Sequence, residues 1–167
     1  MNTAPLVIFA YGNPSRGDDA LGPALLHQLD PLKTAEIELI EDFQLQVEHA
    51  LDLVERDLAL FIDASVSCPP PFQFTRLSAH KDYSYTSHAL HPSALLYVFA
   101  EIQQRPPPPT FLLTLRGEAF ELGAPLSVAA QAHLQAAFEF VQQLVNQIEL
   151  AAWQQWAIPP ATNPVDS

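Results

Sequence analysis

Two adjacent carboxylates, Asp18 and Asp19, follow a turn rich in glycine and proline (GNPSRG, 12–17), and that turn directly follows an apolar run. A third acid, Asp63, interrupts DLALFIDASV (57–66), the most apolar stretch of the chain. An acid in such a setting needs neutralisation, hydrogen bonds or a metal. Two histidines, His88 and His91, lie in the polar stretch SYTSHALHP, just ahead of a helical pattern. Carboxylates and an imidazole drawn from separate loops form an oxygen, oxygen, nitrogen set with open coordination positions. That set suits Zn²⁺, Ni²⁺ or Fe²⁺ better than Mg²⁺. Each residue also has a plainer reading. Asp19 can cap a helix while Asp18 is solvated, Asp63 can accept from backbone amides at a strand end, and loop histidines are commonly surface residues.

Several other chemistries are excluded. The first loop fits neither GxGxxG nor GxxxxGK[ST], and carboxylates occupy the place of a phosphate. No HExxH pattern occurs. Cys68 stands before three prolines with no neighbouring base and reads as structural, and one cysteine cannot build a disulfide framework. The formal net charge of −12 over 167 residues disfavours nucleic acid and anionic membranes as partners. No basic leader precedes the short run Leu6 to Ala10, and no segment reaches the ~18 apolar residues of a membrane span. A cytoplasmic protein is expected.

The elements that must position these groups alternate. PLVIFAY (5–11), AEIELIE (35–41), DLALFIDASV (57–66), FQFTRL (72–77) and PTFLLTLR (109–116) read as strands. ALGPALLHQLD (20–30), QVEHALDLVE (46–55), HPSALLYVFAEIQQ (91–104) and LSVAAQAHLQAAFEFVQQLVNQI (126–148) read as helices, the third beginning at Pro92, after His91. His27, His49 and His133 read as ordinary helix-face residues. The pattern predicts a three-layer α/β/α fold around a central, mostly parallel twisted sheet of about five strands. Residues 1–150 are expected to form one domain and 151–167 a partly disordered tail. Ligands in such folds bind beyond the carboxyl ends of the strands. There stand Asp18 and Asp19 after the first strand, Asp42 after the second, Asp63 in the third and the histidine loop after the fourth.

GNPSRGDDALG after the first strand, FIDAS in the third and SHALHPSALL before a helix together resemble the [NiFe]-hydrogenase maturation endopeptidases, over roughly Leu6 to Ile148. The resemblance implies an α/β peptidase. It would remove a short C-terminal extension from a hydrogenase large-subunit precursor once nickel is inserted. By motif, Asp19, Asp63 and His88 would be both the metal ligands and the catalytic groups. They would grip nickel supplied by the substrate, with no organic cofactor. Asp18 would be a supporting residue, pairing with Arg16 or capping the helix.

Two departures bear on specificity. Ala20 replaces a frequent glycine, and Asp42-Phe43-Gln44-Leu45 replaces the family's Asp-Gly-Gly-Thr. Asn13, Asp42, Phe43, Gln44 and His91 are therefore expected to face the substrate. So are Arg116 and Glu118, in RGEAFELG (116–123). Two other functions fit the same residues: a nickel-sensing docking factor that binds the precursor without cutting it, and an unrelated metal-dependent hydrolase on a doubly wound fold.

Overall fold

A computed structural model describes residues 3–80 and 90–160. Five strands form one sheet in the order β2-β1-β3-β5-β4. They are β1 (Leu6–Tyr11), β2 (Ile37–Asp42), β3 (Leu58–Ser65), β4 (Phe72–Leu77) and β5 (Thr110–Arg116). The first three and β5 are parallel, and only β4 runs antiparallel, against β5. Four α-helices flank the sheet: α1 (Leu21–Leu29), α2 (Pro92–Gln103), α3 (Val128–Asn146) and α4 (Leu150–Trp156). This is the expected three-layer arrangement. No helix among the described residues is long and apolar enough to cross a membrane.

Alternation along the strands divides the core into two layers. Leu6, Ile8, Leu58, Leu60, Phe111 and Leu113 face α1, α3 and α4. Val7, Phe9, Tyr11, Ala59 and Phe61 face α2 and the segment 47–53. Both faces are covered, which explains why β1 and β3 read as continuous apolar runs. The segment 47–53 is a 3-10 helix rather than the expected α-helix. It is short and closed at both ends, by reciprocal capping between Gln46 and His49 and by Glu55 in the left-handed region.

The carboxyl end of the domain departs from expectation. Residues 150–158 belong to the fold, so the boundary expected at 150 does not coincide with the end of the core. Trp153 is fully buried against Phe74 and Phe111, and its indole N–H reaches the carbonyls of Leu144 (3.1 Å) and Gln147 (2.8 Å). Ile158 then pairs with β4, donating to the Phe74 carbonyl (2.9 Å) and accepting from the Arg76 N–H (2.8 Å). A seven-residue helix holding one large anchor has too little periodicity to stand out beside a proline-rich terminus. Residues 161–167 of the expected tail lie outside the described residues.

Trp153→Ala should remove about 3–5 kcal/mol of stability, as for other buried large-to-small changes. Urea unfolding followed by circular dichroism would measure it.

Candidate functional site

The strand order makes one place special. From β1 the chain turns to β2 on one side, while β3 lies on the other. A crevice therefore opens beyond the carboxyl ends of β1 and β3, where the connections diverge. Asp19 and Asp63 come from these two strand ends.

Asp19 is fixed by its own loop. Its Oδ2 accepts from the backbone N–H of Asn13 at 2.7 Å, and its N–H donates to the Arg16 carbonyl at 3.0 Å. Gly12 has φ +147°, and a Cβ there would lie 2.1 Å from the Asp19 carbonyl oxygen, so the loop closes only over glycine. Asp19 makes no cap to α1, which packs against the strand ends through Gly22. A Cβ on Gly22 would meet the carbonyl oxygens of Tyr11 and Ile62 at 3.0 and 3.2 Å. Asn13 itself shapes the turn, its Oδ1 accepting from Ser15 N–H at 2.9 Å.

Asp18 is not solvated, nor paired with Arg16, nor a cap of α1. It is fully buried and accepts from Glu118 N–H (2.7 Å), Ala119 N–H (3.0 Å), Ser127 N–H (2.8 Å) and the Ser127 hydroxyl (2.7 Å). Burial opposes its charge, but the donors of Ser127, Glu118 and Ala119 outweigh it and hold the carboxyl below its ordinary range. The same Ser127 hydroxyl accepts from Ala130 N–H, capping α3. One acid thus ties the loop after β1 to the segment after β5.

Asp63 lies mostly buried at the end of β3. Burial, reinforced by the charge of Asp19, pushes its carboxyl up to about 7, against a single backbone bond from Ala64 N–H at 2.8 Å. Register places it in a polar row across one face of the sheet. Tyr11 pairs with Asp42, and Asp63 pairs with Thr114. One step beyond the pair Ala10 and Ile62, Tyr11 and Asp63 stand side by side. Burial and the neighbouring Asp63 push the Tyr11 phenol well up.

Asp42 has a partner that sequence reasoning missed. His49, read as an ordinary helix-face residue, is buried. Its Nδ1 accepts from Gln46 N–H at 2.8 Å, which leaves Nε2 to face Asp42 Oδ2 at 3.4 Å. The spacing Gln46-x-x-His49 is that of a capping box, the one signal that marked it. Phe43 is 69% exposed beside this pair, and Gln44 is also exposed. Arg116 is held by its own surroundings: Nη1 donates to the Cys68 carbonyl at 3.0 Å and Nε lies 3.5 Å from Glu118 Oε1. Tyr11 could have been picked out by pairing the two strands in register, a relation absent from either strand alone.

β4 is antiparallel, so its carboxyl end lies at the other end of the strands from Asp63, and the expectation that the fourth strand ends beside the acids does not hold. His88 lies outside the described residues. His91 caps α2, accepting from Ser93 N–H at 3.0 Å. α2 packs Leu95, Leu96 and Phe99 on the sheet face that carries Tyr11 and, by alternation, Asp63. Among the described residues no three His, Cys, Asp or Glu side chains cluster as a metal site.

Solved structures share this architecture. A [NiFe]-hydrogenase maturation protease HycI from Thermococcus kodakarensis superposes with a TM-score of 0.67 at 20% identity, over 86% of this chain and 94% of that one. The fold is that of the hydrogenase maturation proteases. The maturating endopeptidase HybD of Escherichia coli gives 0.66 at 18% identity, over 87% and 93%. A thaumarchaeal hydrogenase 2 maturation peptidase gives 0.62 at 20% identity, over 84% and 97%. No protein-family model matches the chain, and no curated protein sequence matches it.

Two acids of this site respond to pH with opposite sign. Asp18, held low, stabilises the fold at neutral pH, and that contribution disappears as pH falls through its ordinary and then its lowered value. Asp63, held high, stabilises the fold only while protonated, and that contribution disappears as pH rises through about 7. Asp63→Asn should therefore raise stability at pH 8 by about 1–3 kcal/mol and change it little at pH 4. Asp18→Asn places an amide NH₂ among donors and should cost about 2–4 kcal/mol at pH 7. Urea titrations of each variant at both pH values would check both signs.

Proposed function

We propose that this chain is a cytoplasmic endopeptidase that removes the C-terminal extension of a [NiFe]-hydrogenase large subunit after nickel insertion. The observation that carries the reading is that Asp19 and Asp63, near enough for the charge of one to raise the pKa of the other, stand at the crevice between β1 and β3, in a fold shared with proteins named as hydrogenase maturation proteases. The pair differs in character. Asp19 is held in place by a backbone amide, while Asp63 is mostly buried with one such bond and prefers its proton near neutrality. Such a pair accommodates a divalent cation, whose charge would relieve the repulsion between the two carboxylates and displace the Asp63 proton.

In this reading the cation is the nickel already seated in the precursor, and the substrate supplies it. Asp19, Asp63 and His88 grip the ion, so that only a loaded precursor is held with its scissile bond at the crevice. Water attack then follows one of two routes. Either the ion polarises the carbonyl or activates the water, or a carboxylate takes the proton of the attacking water. Asn13, which orients Asp19 through its backbone N–H, is a positioning residue in either route. No organic cofactor takes part.

The test is the mass of the large subunit after mixing nickel-loaded and nickel-free precursor with the protein. Loss of the C-terminal peptide from the loaded form alone is expected. Binding of the loaded form without loss of mass would assign a docking factor instead, and equal cleavage of both forms would remove the nickel checkpoint. Asp19→Ala, Asp63→Ala and His88→Ala should each abolish processing, with circular dichroism unchanged. Full activity of His88→Ala would transfer its role to His91.

A further inference from the structure

The sheet has two edge strands, and they are treated differently. The outer edge of β4 is bonded to Ile158 at Phe74 and Arg76. The outer edge of β2 is paired with nothing among the described residues. Which backbone groups it offers follows from the ladder with β1. Leu6 N–H donates to the Glu36 carbonyl and Gly12 N–H to the Asp42 carbonyl, so even-numbered residues of β2 turn inward. In a parallel strand the N–H and C=O of the alternate residues then turn outward. These belong to Ile37, Leu39 and Glu41. The Ile37 N–H is used by the Thr34 carbonyl at 3.2 Å, which leaves Leu39 and Glu41 as a free docking register.

Two surface grooves run along this edge. One, of about 330 Å³, lies between α1 and β2 and is lined by Leu26, His27, Asp30, Leu39 and Glu41. The other, of about 300 Å³, is lined by Gly12, Pro14, Glu41, Asp42 and Phe43. Glu41 lines both, so the grooves adjoin and lead from the open edge to the loop that holds Asp19. Their chemistry alternates. Leu26 and Leu39 form an apolar stretch, and Glu41 and Asp42 an acidic one at the strand's carboxyl end. No Lys or Arg lines either groove, and Lys33 nearby lies 3.7 Å from Asp30.

We propose that the open edge of β2 receives an extended segment of the precursor as a sixth strand, with backbone bonds to Leu39 and Glu41. Side chains two positions apart on such a strand share a face. The segment is therefore one that carries an apolar residue for Leu26 and Leu39 and, two positions away on the same face, a basic residue for Glu41, where it would compete with His27, whose Nε2 lies 3.0 Å from Glu41 Oε2. The inference rests on the peptidase reading and adds how the substrate is threaded toward the crevice.

Amide hydrogen exchange by NMR tests it directly. In the free protein the N–H groups of Leu39 and Glu41 should exchange much faster than those of Glu38, Ile40 and Asp42. A synthetic peptide covering the C-terminal region of the large-subunit precursor should slow Leu39 and Glu41 about tenfold or more and leave Ile40 unchanged. Glu41→Pro removes an outward N–H without breaking the ladder to β1. It should raise KM for the precursor about tenfold with kcat retained, whereas Glu41→Gln, which keeps the N–H, should raise it less.

Cleavage of the precursor without slowing at Leu39 and Glu41 would overturn the edge and leave the peptidase standing. Slowing that grows with protein concentration in the absence of peptide would assign the edge to a second copy of this chain. Slowing by the peptide, with the nickel-loaded precursor left uncut, would uphold the edge and overturn the peptidase. The exchange measurement needs no variant, so it decides the matter even if Glu41→Pro fails to fold.

Discussion

The buried carboxylate of Asp18 is the constraint on which the site depends. It gathers three backbone N–H groups and a hydroxyl from a segment about a hundred residues away in sequence. A buried carboxylate without such donors would be severely destabilising, and with them it becomes a fixed corner. Its own N–H donates to the Ala119 carbonyl at 2.7 Å, so the two segments are laced in both directions. Because Asp19 is the next residue, the position of the proposed ligand is inherited from this corner. The cap of α3 is tied to it as well, through the shared Ser127 hydroxyl.

The adjoining acid is treated in the opposite way. Asp18 has four donors and Asp63 has one, so the fold spends its hydrogen bonds on the structural carboxylate and leaves the other short of them. Asp63 also sits beside the buried phenol of Tyr11 and within reach of the charge of Asp19. Groups left in such settings are concentrated where a ligand completes them. His49 shows the same division of labour at Asp42, since the ring is fixed by Gln46 and in turn steadies the carboxylate that edges the second groove.

Much of the frame was legible in the residues. Apolar runs of strand length, separated by helical periodicities, indicated the layered sheet, and acids interrupting or ending those runs indicated the crevice. What escaped notice had non-local causes. Asp18 and Asp19 are neighbours of one type, and nothing local tells which turns inward, because the donors that decide it come from residues 118–127. Tyr11 gains its place beside Asp63 only through register between strands far apart in the chain. The antiparallel direction of β4 is equally invisible in FQFTRL, whose alternation is the same read either way. Trp153 looked like part of a tail because a single large anchor has no period.

The small closure made by Ile158 bears on how copies of this protein can assemble. A sheet with two open edges can add neighbours at both and propagate, which is the route to fibres. Here Ile158 pairs with β4 at Phe74 and Arg76 and blunts that edge, and the other is short and acidic. Self-association through the β2 edge alone would join like edges across a twofold axis and close there. A substrate lying along β2 would block that pairing.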